Sequence, residues 1–407
     1  MIQIKLKNCI ETYSGYAFSS KDFCDDGVQI IKIGNLFNNK LSLERSPTFV
    51  SEGFLLSHHE YIASEGDILI SLTGTLGKKD YGYAVAIDKK CEFLVNQRVL
   101  KISAKHNITQ EYLLFLLQSE YLLNELYPLA NGTKQANISA SDVLNIGVSL
   151  PSIDEQKSIS KLLGVKVSII DTKVKNLTQK LHHLEEYKTA LIHNAVTKGL
   201  DANNCRILDG TPESARLKDF IKFKNGKTIN REDLSENIIS DSLYLPMSWI
   251  FESQERKFYV QNDNEKIAYK ESDEIVMGWI GYDSFSNGGG IGRPSTCSRS
   301  SGYIDGNLYK LVLKNIGHKR YFEYCLFLPS VQGHFNALIR GSVAQFIGSG
   351  KEFAEIPLWN TGGQKIISDY LDLKCKEIEV FEASINKKIA LLLEYKKSLI
   401  NEAVSGQ

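Results

Sequence analysis

Pro151-Ser152-Ile153-Asp154-Glu155-Gln156 opens a long apolar-periodic stretch that closes on Glu186-Tyr187-Lys188 and Ala195-Val196-Thr197. The end of the chain reads the same way: Pro357, Gln364, Glu394-Tyr395-Lys396 and Ala403-Val404-Ser405. Gln156 and Gln364 are 208 positions apart, and that offset holds to the end of the second stretch. A repeat of about half a chain means two copies of one module.

Within residues 155–199 apolar groups recur at Leu163, Val167, Ile170, Val174, Leu177, Leu181 and Leu184, then at Leu191 and Ala195. Steps of four and three in alternation are a heptad seam, so a long helix is predicted with Gly199 as its stop. At about 1.5 Å per residue it is roughly 65 Å long, too long to pack inside a small domain. The second stretch carries its own seam: Leu371, Cys375, Ile378, Glu382, Ile385, Ile389, Leu392, Lys396, Leu399 and Ala403. Lys188 and Lys396 interrupt the two seams at equivalent points. A polar residue at a seam position costs stability but fixes register, which predicts that the helices pair antiparallel about a pseudo-twofold axis. The plain alternative is a lysine stem lying along the seam without a partner. Leu177, Leu181, Leu184 and Lys188 with Ile385, Ile389, Leu392 and Lys396 are the expected pairing residues.

Between the helical stretches lie two modules of mixed character. Residues 1–150 hold short β-rich runs, Gln29-Ile30-Ile31-Lys32-Ile33 and Ile68-Leu69-Ile70-Ser71-Leu72, punctuated by glycines, and one helix predicted at 111–127. Residues 215–356 repeat this loosely: Gly15-Tyr16-Ala17 answers Gly226-Lys227-Thr228, Asp67–Gly74 answers Glu274–Gly281, and Asn131-Gly132-Thr133 answers Arg340-Gly341-Ser342. The organisation read from this is 1–150 first module, 151–200 first helix, 201–214 polar connector, 215–356 second module and 357–407 second helix. The fold class is α+β: two similar mixed α/β modules joined by two long helices packed as an antiparallel coiled coil. A shared framework with divergent loops suits two modules that each recognise something different.

The 407 residues contain 48 basic and 48 acidic groups, so the net charge is zero and the chain is not a strongly basic molecule. Seven scattered cysteines form neither a disulfide framework nor a zinc spacing, which fits a reducing cytoplasm. The N-terminus alternates like a strand rather than a signal peptide, and the most apolar run, Tyr112–Leu117, is too short to cross a membrane.

Gly226-Lys227-Thr228 ends like a phosphate-binding loop, but position 221 is Ile221 where that loop needs glycine, so an ordinary turn is favoured. Gly288-Gly289-Gly290-Ile291-Gly292 lacks the dinucleotide spacing. No proline precedes another proline or a cysteine, which removes the usual signatures of DNA amino- and cytosine-C5-methyltransferases. His58-His59-Glu60, His182 and His183 read as surface histidines. No catalytic residue and no metal site is assigned.

The Pro-x-x-x-Glu-Gln entry at Pro151–Gln156, the Glu-Tyr-Lys helix and the Ala195–Gly199 exit closely resemble type I restriction–modification specificity subunits. So do Gly66-Asp67-Ile68-Leu69-Ile70, Asn96-Gln97-Arg98 and the Asn131-Gly132-Thr133-Lys134-Gln135 loop. The resemblance covers essentially the whole chain, in the order recognition domain, helix, recognition domain, helix. The second helix departs from it, entering through Pro357–Gln364 with two extra residues and no glutamate before the glutamine. The resemblance implies a non-catalytic subunit in which each target-recognition domain reads half of a bipartite DNA site. The helices set the half-site spacing and dock methyltransferase subunits. It implies no cofactor on this chain, with S-adenosylmethionine on the methyltransferase subunits and ATP and magnesium on a separate restriction subunit. Double-stranded DNA is then the ligand, and no membrane is involved.

Base reading needs Arg, Lys, Asn or Gln at base edges, with further cations on phosphates. The loop positions that qualify are Lys78, Lys79, Tyr81, Arg98, Lys134 and Gln135 in the first module. In the second they are Lys227, Arg231, Arg293, Arg299, Arg340 and Gln345. Two rivals stand beside this reading: a two-headed coiled-coil scaffold that binds no DNA, and a nuclease hidden in one module, for which Asp233, Asp241 and Glu271 form no convincing carboxylate–lysine cluster.

Overall fold

The computed structural model describes residues 2–203, 205–237, 243–248, 257–260, 269–270, 274–283, 289–295, 301–314, 317–342 and 344–406. The chain divides into two compact units. The first takes Met1–Thr178 with Asn386–Gln407, and the second takes Gln179–Ile385. Each unit therefore owns one module and a segment of both long helices, Ile153–Lys198 and Thr361–Ser405.

In the first unit a four-stranded antiparallel sheet runs in the order Ala84–Ala86, Ile68–Ser71, Val99–Ala104, Ile10–Ser14. A five-stranded sheet runs Phe23–Cys24, Phe49–Val50, Val28–Ile31, Phe93–Val95, Ile62–Ala63, with Val28–Ile31 and Phe93–Val95 parallel. The N-terminal strand Ile2–Lys5 pairs with Gly147–Leu150, which leads straight into the first long helix. The single helix predicted at 111–127 is two, Gln110–Gln118 and Glu120–Leu126. Ser119 divides them in an extended conformation, and its hydroxyl donates to Leu116 O and accepts the Leu122 N–H, so it closes one helix and caps the next. Both pack on the four-stranded sheet through Tyr112, Leu113, Leu116, Leu117, Leu122 and Leu126, in a core that also takes in Leu163, Ile400 and Val404 from the long helices.

The second unit repeats this topology. Its four-stranded sheet runs Ile221–Asn225, Leu308–Leu313, Val276–Gly278, Pro294–Ser295, and its five-stranded sheet again has one parallel pair, Leu243–Leu245 with Gly302–Ile304. Two glycines hold matching tight crossings. A Cβ on Gly15 would lie 2.2 Å from Asn96 O, and one on Gly226 would lie 1.9 Å from Asp305 O. Gly226 is glycine because backbone presses on it.

The seam residues of both helices are the buried or half-buried ones, while their neighbours are largely exposed. In the second unit Trp359 Nε1 donates to Val196 O, Lys188 pairs with Glu379 and Lys180 lies over the Phe381 ring. In the first unit Asp171 pairs with Lys396, and Ile159 shares a groove with Ala403 and Val404. In both units the number falls along one helix as it rises along the other, so the segments run antiparallel. The seam lysines are partnered, not merely laid along the seam.

The helix entries differ as their sequences do. Ser152 and Glu155 form a reciprocal cap on the first helix. In the second, Asn360 stands 208 positions after Ser152 and caps alone, its Oδ1 accepting the Gly363 N–H at 2.8 Å. Gly199, at φ +62°, ends the first helix with its N–H on Ala195 O and that of Leu200 on Asn194 O. Among the described residues, no helix is long and apolar enough to cross a membrane.

Candidate nucleic-acid interface

Strand pairing gathers the first module's candidates. Thr73–Thr75 runs antiparallel to Gln135–Asn137, with Thr75 opposite Gln135 and Thr73 opposite Asn137. One turn further, the Leu76 N–H donates to Lys134 O. The loop that follows carries Lys78 and Lys79, both exposed, and Lys79 sits at φ +53° with its ammonium 5.1 Å from the Tyr127 ring centre. Asp80 holds this loop through Oδ1, which accepts the Thr75 N–H. Burial, the largest single influence, would raise its pKa, but the hydrogen bonds from Thr75 and its own backbone together with the nearby Lys78 charge outweigh it, and the carboxyl stays below its ordinary value, hence ionised at neutral pH. Arg98 reaches the same ladder from the other side, its Nη1 2.8 Å from Asn137 Oδ1. Three lysines, one arginine and a glutamine thus surround one short two-stranded ladder.

Tyr81 is a correction. It lies in the first core, 3 % exposed, its ring edge-on to Tyr127 at 5.2 Å. Burial raises the pKa of both phenols, that of Tyr127 to about 12. With its ring buried, Tyr81 presents no edge to a ligand.

The second module builds the equivalent ladder from Ile280–Gly281, Gln345–Ile347 and Ile339–Arg340. Gln345 lies opposite Gly281, and Arg340 lies opposite Phe346 with its side chain exposed. The Arg340 Nη1 donates to the carbonyls of Ala337 and Ile339, which anchors the guanidinium at the turn. Arg293 precedes the edge strand Pro294–Ser295 of the four-stranded sheet, its carbonyl accepting the Gly278 N–H. Lys227 sits apart, on the crossing made by Gly226, with its N–H on Ile304 O. Arg231 is exposed on a short helical turn, Arg231–Asp233. Arg299 lies outside the described residues.

Three residues of these ladders escaped the sequence reading: Thr73, Asn137 and Phe346. Asn137 joins Thr73 across 64 positions, and no local pattern signals that contact. Phe346 is 40 % exposed, an apolar ring at a ladder position where the first module has a polar one. His58 is half-buried. It ends the short helix Gly53–Ser57 and stacks on Phe54 at 5.0 Å within a cluster of Tyr16, Phe18 and Tyr61. His182 and His183 are exposed beside Glu186. Among the described residues, no group of three or more His, Cys, Asp or Glu is placed to hold a metal ion.

Of the eight residues expected to pair the helices, Ile385 is buried and the other seven are half-buried. Each long helix is also tied to its module by a buried glutamine. Gln156 accepts the Thr109 N–H at 2.9 Å and donates to Asn107 O and Pro151 O. Gln364 accepts the His318 N–H at 2.9 Å and donates to Trp359 O. In both units the bond lands on the residue that caps the module's own helix.

Residues 3–185 match the model of a family described as the type I restriction modification DNA specificity domain. The chain is 30% identical over 204 residues to the type I restriction enzyme MjaVIII specificity subunit of Methanocaldococcus jannaschii, covering 49% of this chain and 46% of that protein. It is 25% identical over 151 residues to the EcoAI specificity subunit of Escherichia coli, covering 37% of this chain and 25% of that protein. The chain thus spans less than half the length of these curated relatives. A solved chain from work on complex assembly and conformational transition of the type I R-M system superposes over 100% of this chain and 97% of its own, with a TM-score of 0.64 and 12% identity. That likeness is one of fold.

Proposed function

We propose, from the match of residues 3–185 to the type I restriction modification DNA specificity domain, that this chain selects the DNA sequence on which a type I complex acts. Each recognition domain reads one half of a bipartite site. The paired helices set the distance between the halves and dock methyltransferase subunits, which bring S-adenosylmethionine. A separate restriction subunit supplies ATP- and magnesium-dependent cleavage, and this chain itself performs no chemistry.

The observation that supports this best is the pair of equivalent ladders, one per module, each rimmed by cationic and amide side chains. A short ladder with exposed cations at its rim suits a duplex: the lysines meet phosphates and the ladder face meets base edges. The framework beneath is the same in both modules while the rim differs, which is what two different half-sites require. Helices of fixed register provide a ruler, because half-site separation is a geometric property of the reader. Zero net charge implies that the isolated subunit binds DNA weakly and that partner subunits complete the clamp.

The test is binding and methylation by the chain assembled with its methyltransferase subunits, on DNA in which each half-site is scrambled in turn. Loss with either half scrambled supports the reading. Assembly with the partners but indifference to DNA sequence would favour a two-headed scaffold.

A further inference from the structure

Asn137 accepts two hydrogen bonds on one oxygen, from Thr73 Oγ1 at 3.1 Å and from Arg98 Nη1 at 2.8 Å. Its amide nitrogen donates to Gln135 O at 3.4 Å. This set fixes the amide orientation, since the reverse would oppose N–H to N–H at Arg98. Asn137 is also held by its own main chain, which exchanges both hydrogen bonds with Asn131.

The consequence is an exposed arginine with a fixed direction. A phosphate contact needs only charge, and a lysine serves as well. A base edge needs a planar fork set at one angle. One bond to Nη1 leaves the Nε and Nη2 protons and the second Nη1 proton available. Two parallel N–H donors of a guanidinium match the O6 and N7 acceptors of guanine in the major groove. Lys78, Lys79 and Lys134, on the same ladder, are placed to hold the flanking phosphates.

We infer that Arg98, positioned by Asn137 and Thr73, reads a guanine in the half-site bound by the first recognition domain. This rests on the DNA-reading function proposed above. The second module supplies the contrast. Its Trp279 N–H donates to Asn307 O as the Leu72 N–H donates to Arg98 O, and Ile280 faces Phe346 as Thr73 faces Asn137. The equivalent positions are therefore Asn307, Phe346 and Ile280, with no cation among them. The same framework site is a charged fork in one domain and an apolar face in the other, so the second half-site is an internal control.

The experiment selects sequences from a DNA pool randomised across both half-sites, using the full chain assembled with its methyltransferase subunits. Wild type is compared with Arg98→Lys, Asn137→Ala and Thr73→Val. Arg98→Lys keeps the charge and loses the fork. It should lose roughly ten- to hundredfold of the discrimination for guanine at one position of one half, with the other half unchanged. Asn137→Ala should fall at the same position, and Thr73→Val, which preserves volume, by less. Thr73→Val carries the positioning claim if melting curves show that Asn137→Ala disturbs the turn. An unchanged consensus in Arg98→Lys, or no guanine in the altered half, overturns the inference. Uniform weakening on all sequences would make Arg98 a phosphate contact and also overturns it. Wild type that selects no sequence at all would instead sink the DNA-reading function.

Discussion

Lys396 of the second long helix places its ammonium 2.8 Å from Asp171 of the first. Asp171 and Glu379 are 208 positions apart, as are Lys188 and Lys396, and Lys188 stands 3.0 Å from Glu379. One ion pair is therefore made twice, once in each compact unit, with the roles of the helices exchanged. Lys396 is 17 % and Asp171 31 % exposed, so the pair is partly desolvated and stronger than an ordinary surface bridge.

Reversing one charge should break the helix register in its unit. Lys396→Glu is expected to destabilise the first unit by about 2 kcal/mol or more, and adding Asp171→Lys should restore part of it, the rest being held back by repulsion from Lys40. Denaturation of the two single variants and the double variant measures the coupling. Additive effects would show that the pair sets nothing. Lys40, 3.6 Å from Asp171, should cushion a neutral Lys396→Met change.

Glu382 occupies a seam position whose counterpart is Val174, and burial is the main cause that raises its pKa, with Glu185 and Glu379 adding to it and Lys188 opposing. A carboxyl whose folded pKa lies above its unfolded value stabilises the fold in acid and loses that contribution as pH rises through the folded pKa. Glu382→Val should therefore raise the melting temperature at pH 7, with a gap that narrows as pH falls through the raised folded pKa towards the usual glutamate range. A gap that widens in acid would contradict this.

Gln156→Ala removes three hydrogen bonds at a fully buried site and orphans the Thr109 N–H and the Asn107 carbonyl. A loss of about 2–3 kcal/mol is expected. Hydrogen exchange should accelerate first at the Thr109 amide and along Gln110–Gln118. Gln364→Ala should do the same at His318 and along Lys319–Leu326.

Arg340→Ala should relax reading of one half-site only, and Arg293→Ala the same half. Mobility shifts on DNA with each half scrambled separately distinguish this from a general loss, which would make them phosphate contacts.

Much of this architecture was legible because its signals are local. A heptad seam needs only the spacing of apolar residues, and all twenty or so seam positions lie on the buried side. The repeat needed only self-comparison. Ser119 was misread because a serine within an apolar run costs helix little, whereas here its hydroxyl closes one helix and opens the next. Tyr81 was misread because composition cannot say which way a ring beside a glycine turns.

The sequence by itself determined two modules, two paired helices and the absence of familiar catalytic signatures, since periodicity and repetition are properties of neighbouring positions. Tertiary structure alone decided which distant groups meet. Tyr112 donates to Val404 O across 292 positions, and Arg98 finds Asn137 across 39. The first follows from burying a long helix against its module and the second from pairing strands distant in sequence, energies that belong to whole surfaces and leave no mark in any local stretch of chain.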